Sequence, residues 1–303
     1  MGMEKSLPEL PSAELVTLVL DGSGSMSTED FYDPEVGRVS RGQGVANIFN
    51  YILERLTKSS VGDQFFIGVV IFGTRAAIWD AMGYEGRPYY PWALVRKELK
   101  ARAREGAVDI KSWLSSKDLL IRATYELAEE LGLGDTTNIA DGFRKAKNVC
   151  EKFLSDDWEI LPPPQKRNAT VIMLTDGIAN EEVDKTSVMA DELKKLSVKV
   201  KRETKTVEKE AVRIVTVGIS EETARTEDYK KLLYECATPA DPAILAQEVG
   251  KGKFIRDLLY RPSGCPEYRL TMILERIDRQ EDVEALRLFL WTVSARRVKP
   301  VLR

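Results

Sequence analysis

The sequence contains no histidine. That absence excludes the Ser-His-Asp and Cys-His nucleophile systems and every imidazole-ligated zinc site. Acid–base work would fall to Asp, Glu, Lys, Tyr or Cys, an unusual choice at neutral pH. Cysteine is scarce as well. Its 3 residues, Cys150, Cys236 and Cys265, lie far apart and form no CxxC pair. They read as buried or incidental thiols in a reducing compartment, not as a disulfide framework. Long hydrophobic runs are missing too, since a stretch such as Phe65 to Phe72 is far too short to span a bilayer. Residues 1–12 carry prolines and acids but no apolar run of the signal-peptide kind. Neither sign of charge dominates, because 45 Lys+Arg nearly offset 48 Asp+Glu to leave a net charge of −3. Neither nucleic acid nor an anionic membrane surface is therefore expected as a partner, and the expected location is the cytoplasm.

What is present is the raw material of a large core: 303 residues, 43% of them hydrophobic. Leu15 to Asp21, Gln64 to Gly73, Ala169 to Asp176 and Arg213 to Ser220 are apolar, β-branched runs, the pattern of strands buried on both faces. Ala76 to Asp80 reads as a short strand pairing back across the Gly73–Thr74 turn. Helical stripes fill the gaps: Val45, Ile48, Phe49, Ile52 and Leu56; then Leu120, Ala123, Leu127 and Leu131. The cleanest stripe is Ile139, Phe143, Ala146, Cys150 and Phe153. Val183 to Leu196, Asp228 to Cys236 and Asp282 to Ser294 are further helical segments. This alternation predicts an α/β fold, an open, doubly wound, mostly parallel central sheet with helices on both faces. In such folds ligands sit beyond the carboxyl ends of strands, which directs attention to the strand ends.

The first strand runs into Asp21-Gly22-Ser23-Gly24-Ser25-Met26. One carboxylate and two hydroxyls alternate along what reads as an extended loop, so all three side chains can point to one side. Gly22 and Gly24 would let the backbone fold tightly around a bound group. Oxygen ligands without nitrogen or sulfur suit Mg²⁺, Ca²⁺ or Mn²⁺. A second strand ends in Leu174-Thr175-Asp176-Gly177, on the same edge of a parallel sheet. Between them, Asp135-Thr136-Thr137-Asn138-Ile139 brings further hydroxyls to the start of the cleanest helix.

In order and spacing, DGSGSM, TTNIADGF and MLTDG resemble the three parts of the metal-ion-dependent adhesion site of von Willebrand factor A-type domains. The resemblance is to intracellular, bacterial-type members. The family pattern Asp-x-Ser-x-Ser, then Thr, then Asp maps onto Asp21, Ser23 and Ser25, then Thr137, then Asp176. The resemblance implies a Rossmann-like A-type domain over residues 13–250. Residues 1–12 would be an N-terminal extension and residues 82–117 an insertion. Residues 251–303 would be a C-terminal extension ending in a helix packed on or beside the domain. It also implies that Ser23, Ser25 and Thr137 ligate an ion directly or through water, with Asp21 and Asp176 close by. Mg²⁺ is the expected ion, with Mn²⁺ or Ca²⁺ as alternatives. Largely neutral ligands leave such an ion electron-poor, with one octahedral position open for a partner's Asp or Glu. The sequence departs from the family at Gly134-Asp135-Thr136-Thr137, where small residues usually precede the threonine. Asp135 adds a carboxylate, and Thr136 competes with Thr137 for the ligand role.

The function these features imply is a metal-dependent protein–protein interaction module, an adaptor and not an enzyme. For relatives of this type the expected partners are AAA+ ATPases of the MoxR kind or kinase–phosphatase systems. The alternative is a Mg²⁺-dependent phosphotransferase or phosphatase-like enzyme using Asp21 as nucleophile. Against it, Ser23 stands where haloacid-dehalogenase-type enzymes carry a second Asp, and no GxxxxGK[ST] loop occurs. An extracellular adhesion domain is a third reading. Elsewhere, Glu29, Asp30, Asp33 and Glu35 form either a solvated acidic loop or a second cation site. Residues 82–117 hold Tyr84, Tyr89, Tyr90, Trp92 and Trp113 and the basic run Arg96 to Arg104. These residues either pack the insertion onto the sheet or present a docking patch. Lys199 to Lys209 reads as an exposed charged helix or hairpin, and Tyr268 to Ile277 as a strand or a helix.

Overall fold

The computed structural model describes residues 12–58, 65–79, 87–91, 123–155, 166–202, 205–240 and 258–295. In chain order its first strands are β1 (Ser12–Asp21), β2 (Phe31–Asp33), β3 (Gly37–Val39), β4 (Phe65–Phe72), β5 (Ala76–Ile78) and β6 (Tyr90–Pro91). They are followed by β7 (Lys166–Thr175), β8 (Ser197–Arg202), β9 (Lys205–Glu210), β10 (Val212–Gly218), β11 (Pro239–Ala240), β12 (Tyr268–Arg269) and β13 (Thr271–Ile273). The helices are α1 (Arg41–Lys58), α2 (Thr124–Glu130), α3 (Ile139–Ser155), α4 (Val183–Lys194), α5 (Glu221–Arg225), α6 (Glu227–Cys236) and α7 (Gln280–Ala295).

The main sheet runs in the order β13-β10-β7-β1-β4-β5, with β6 also on β4. From β13 to β4 every pairing is parallel; β5 and β6 join antiparallel. All eight residues of β4 are buried, as a strand covered on both faces requires. On one face lie Val45, Ile48, Phe49 and Ile52 of α1, Leu127 of α2, and Val283, Leu286, Phe289 and Leu290 of α7. On the other lie Ile139, Phe143, Ala146 and Phe153 of α3, Leu193 of α4 and Leu233 of α6. The protein is thus a doubly wound α/β fold, as its alternating sequence predicts. The described part of the chain after residue 250 belongs to this body, since β13 is an edge strand of the sheet and α7 packs into its core.

β1 is hydrogen-bonded to β4 on one side and β7 on the other. The chain therefore leaves β1 toward one half of the sheet and builds the other half from β7 onward. Such a reversal opens a crevice at the carboxyl ends of the two central strands. Asp21 ends β1, and Asp176 directly follows β7.

Several open readings are settled by pairing partners. Tyr268 to Ile277 forms two short strands at its start and no helix, because β13 finds β10 (Thr216↔Thr271) and β12 finds β11. The mixed-charge segment is a hairpin of β8 and β9. The acidic loop after β1 is neither a second cation site nor merely solvated. Asp33 is buried and braces a turn, its Oδ1 accepting from the Glu35 and Val36 N–H groups and its Oδ2 from Asn47 Nδ2. Of the aromatics expected in the insertion, Tyr89 is buried edge-on to Phe66 and Phe153. The basic run, Tyr84, Trp92, Trp113 and Leu120 lie outside the described residues. Cys150 and Cys236 are buried free thiols, each pushed up to about 12 by burial, and Cys265 is a half-buried one. Among the described residues no helix is long and apolar enough to cross a membrane.

Candidate metal-binding site

The loop after β1 is a tight turn, not the extended loop expected from the alternation of its side chains. Residues Gly24–Ser27 form a 3-10 helix, with the Met26 N–H donating to the Ser23 carbonyl at 3.0 Å. Met26 is fully buried and pins the turn to the core. Ser23 and Ser25 face each other because the chain curls, their Oγ atoms 3.1 Å apart. Gly22 is required by packing rather than by a bound group: a Cβ there would stand 2.5 Å from Ala128 Cβ on α2.

The threonine loop is placed by the start of α3. Asn138 caps that helix, its Oδ1 accepting the Asp141 N–H at 3.0 Å. Thr137, one residue earlier, is therefore outside the helix. Asn180 clasps it, taking the Thr137 N–H on its Oδ1 at 2.9 Å and giving its own N–H to the Thr137 carbonyl at 3.1 Å. Thr136 turns the other way, its hydroxyl bonding that of Thr74 at 2.8 Å. Asp135 is exposed, and its backbone carbonyl accepts the Gly24 N–H at 3.3 Å.

These loops bring five oxygen-bearing side chains to one edge. Ser25 Oγ donates to Asp176 Oδ1 at 2.8 Å, so the Ser23 hydroxyl is the one that donates between the two serines. The Ser23 N–H donates to Asp21 Oδ1 at 2.9 Å, and the Thr175 hydroxyl donates to Asp21 Oδ2 at 2.5 Å. The two carboxylates are thus linked through the Ser25 and Ser23 hydroxyls and the Ser23 backbone N–H. The cluster is concave around Gly177: a Cβ on that glycine would stand 3.0 Å from Thr137 Oγ1, 3.8 Å from Ser25 Oγ and 3.9 Å from Asp21 Oδ2. Asp21, Ser23, Thr137 and Asp176 are buried, while Ser25 is exposed at the rim.

Burying two acids side by side has an electrostatic consequence. The Asp21 carboxyl is pushed up to about 7, first by burial and then by the neighbouring Asp176. Hydrogen bonds from Thr175 and Ser23 oppose the rise without cancelling it. A buried pair of this kind favours positive charge nearby. The donor set, two carboxylates and the hydroxyls of Ser23, Ser25 and Thr137, is all oxygen and suits a hard divalent cation. Among the described residues no group of three or more His, Cys, Asp or Glu side chains gathers to hold a metal, so the donor set here rests on two carboxylates and hydroxyls.

Three residues of this edge stand outside the set that the sequence motifs name. Thr175 orients Asp21, Asn180 fixes Thr137, and Arg41 reaches Asp176 with Nη1 2.7 Å from Oδ2. Only Thr175 could have been suspected, as the hydroxyl directly before the strand-end acid.

No family model and no curated protein matches this sequence. Solved structures with a similar trace include proximal thread matrix protein 1 from the mussel byssus, at 17% identity and a TM-score of 0.45, covering 93% of this chain and 47% of that one. The chain thus spans about half the length of the mussel protein, which is also known with a zinc-occupied MIDAS motif. BatB from Bacteroides thetaiotaomicron matches at 14% identity and a TM-score of 0.41, over 93% of this chain and 98% of that one. The pilus adhesin SpaC from Lactobacillus rhamnosus GG matches at 12% identity and a TM-score of 0.46, over 93% and 30%. Likenesses at this level carry no functional weight, and the site is read from its own atoms.

Proposed function

We propose that this chain is a protein-interaction module that captures an acidic side chain of a partner through a divalent cation held at the edge of its sheet. Asp21, Ser23, Ser25, Thr137 and Asp176 would hold the ion, with Mg²⁺ the expected occupant and Mn²⁺ a working substitute. The observation that carries this reading is the concave set of oxygens around Gly177, drawn from three distant stretches of sequence. A cation there relieves the repulsion between Asp21 and Asp176. Ser25 at the exposed rim leaves the ion reachable from outside. When bound, the ion would supply an electrophilic attachment point for a carboxylate. The protein's own residues orient it and shield it, and the surrounding loops choose the partner. The partner would be a protein offering Asp or Glu, with AAA+ ATPases and kinase–phosphatase systems as the candidates from family resemblance. A non-enzymatic role is the reading the sequence favours, since Ser23 stands two residues after Asp21 where haloacid-dehalogenase-type enzymes carry a second Asp.

A ligand that binds only the folded state stabilises it by mass action, by about 2.7 kcal/mol at a hundredfold excess over Kd. Millimolar Mg²⁺ or Mn²⁺ is expected to raise the melting temperature by several degrees, and EDTA to reverse the rise. Ser23→Ala should lose the shift and still fold. A parent protein whose melting curve is the same in EDTA and in millimolar Mn²⁺ would refute the reading. So would turnover of a phosphate ester with Mg²⁺ that Asp21→Asn abolishes, which would make the protein an enzyme.

A further inference from the structure

Asp176 already has a cation of its own. Arg41, the first residue of α1, holds Nη1 2.7 Å from Asp176 Oδ2, while Ser25 Oγ occupies Oδ1 at 2.8 Å. The other edge of the guanidinium is forked onto Asp30, with Nε 2.8 Å from Oδ1 and Nη2 2.6 Å from Oδ2. Bidentate pairing of this kind fixes an arginine in place. The Asp176 side chain is 0% exposed, that of Arg41 16% and that of Asp30 31%. The guanidinium therefore stands between the buried oxygens and a surface cavity of about 450 Å³, whose lining includes Asp30, Arg38, Arg41, Ser220 and Glu275.

We propose that Arg41 is a built-in competitor of the divalent ion and sets the affinity of the site for it. This rests on the reading of the oxygen cluster as a metal site. A guanidinium stays charged at any working pH. Held on Asp176, it repels an incoming dication across a short, poorly solvated distance, and it occupies a carboxylate oxygen the ion would use. With no ion bound, the same guanidinium compensates one of two buried acids, which stabilises the empty site. The two states therefore respond in opposite directions to its loss. A residue that merely braced Asp176 for the ion would, when removed, weaken both.

The test measures Mn²⁺ affinity by titration calorimetry and the melting temperature in EDTA, for the parent, Arg41→Gln and Arg41→Lys. Arg41→Gln is expected to bind Mn²⁺ at least about tenfold more tightly, from the loss of one nearby positive charge, while melting lower in EDTA. Arg41→Lys, which keeps the charge, should stay within about threefold of the parent. Should Arg41→Gln fail to fold without metal, Asp30→Asn gives an independent reading at the exposed end of the pair. It leaves Arg41 less neutralised and is expected to weaken Mn²⁺ binding. Arg41→Gln binding no tighter than the parent overturns the proposal. So does Arg41→Lys tightening as much as Arg41→Gln, or Asp30→Asn binding equally or more tightly. If neither the parent nor Arg41→Gln binds Mn²⁺, the metal reading fails and this inference with it. If the parent binds and Arg41→Gln gains nothing, only the inference falls.

Discussion

Gly177→Ala is expected to weaken divalent-ion binding by roughly 10- to 100-fold, as large as the loss of a residue that supports a metal ligand, while the protein still folds. Gly177 is not among the glycines with positive φ, so alanine meets no backbone penalty there. The new methyl carbon would instead stand 3.0 Å from Thr137 Oγ1 and within 4 Å of Ser25 Oγ and Asp21 Oδ2. That places a hydrocarbon in the space toward which the oxygens converge. Crowding of this kind costs about 1–3 kcal/mol of stability, because Thr137 must shift by a few tenths of an ångström. Calorimetry with Mn²⁺ and a melting curve in EDTA measure the two effects separately. Retained Mn²⁺ affinity in a folded Gly177→Ala protein would mean that the ion, if any, sits elsewhere.

Asp21→Asn is expected to separate stability from ion binding even more sharply. The Asp21 carboxyl is pushed up to about 7 from its ordinary value of 3.8. A carboxyl raised on folding binds its proton more tightly in the native state. Its contribution to stability is fully present below the unfolded value, near pH 4, and is lost as pH climbs toward 7. Above that the charged form is forced into a buried site beside Asp176. Asparagine removes the charge and keeps the shape. The Thr175 hydroxyl, freed from Asp21, can turn to the Gly177 carbonyl 3.1 Å away. At pH 8 in EDTA the variant should therefore be more stable than the parent by roughly 2 kcal/mol. The difference should shrink as pH falls toward 5. Mn²⁺ binding should be lost, since the ion needs the anion that the empty fold resists. Parallel melting curves from pH 5 to pH 8 decide this. A variant less stable than the parent at pH 8 would mean that Asp21 is comfortably charged in the empty site.

The parts of this account that the sequence carries are those set by local pattern. β4 could be read as a doubly covered strand because every one of its residues is apolar or small and every one is buried. Asp21 and Asp176 could be placed on one edge because each closes such a run and parallel strands put their ends together. That Thr137 and not Thr136 stands beside Gly177 was not legible, since it depends on Thr74, 62 positions earlier, drawing Thr136 away. Arg41 was invisible for the same reason: its partner Asp176 lies 135 residues further on. At Ser23 to Ser25 the alternation of polar residues fits an extended segment. The burial of Met26 bends it instead. Tyr268 to Ile277 stayed ambiguous because its two short strands serve different sheets, a distinction no periodicity records.

Anomalous diffraction from crystals of the full chain soaked in Mn²⁺ bears most directly on whether this edge holds a metal. The expected result is one strong peak within about 2–2.4 Å of the Ser23 and Ser25 hydroxyl oxygens, bordered by Thr137, Asp21 and Asp176, with Gly177 facing it. No peak there at saturating Mn²⁺, with Ser25 still bonded to Asp176 and Ser23 to Ser25, would contradict it.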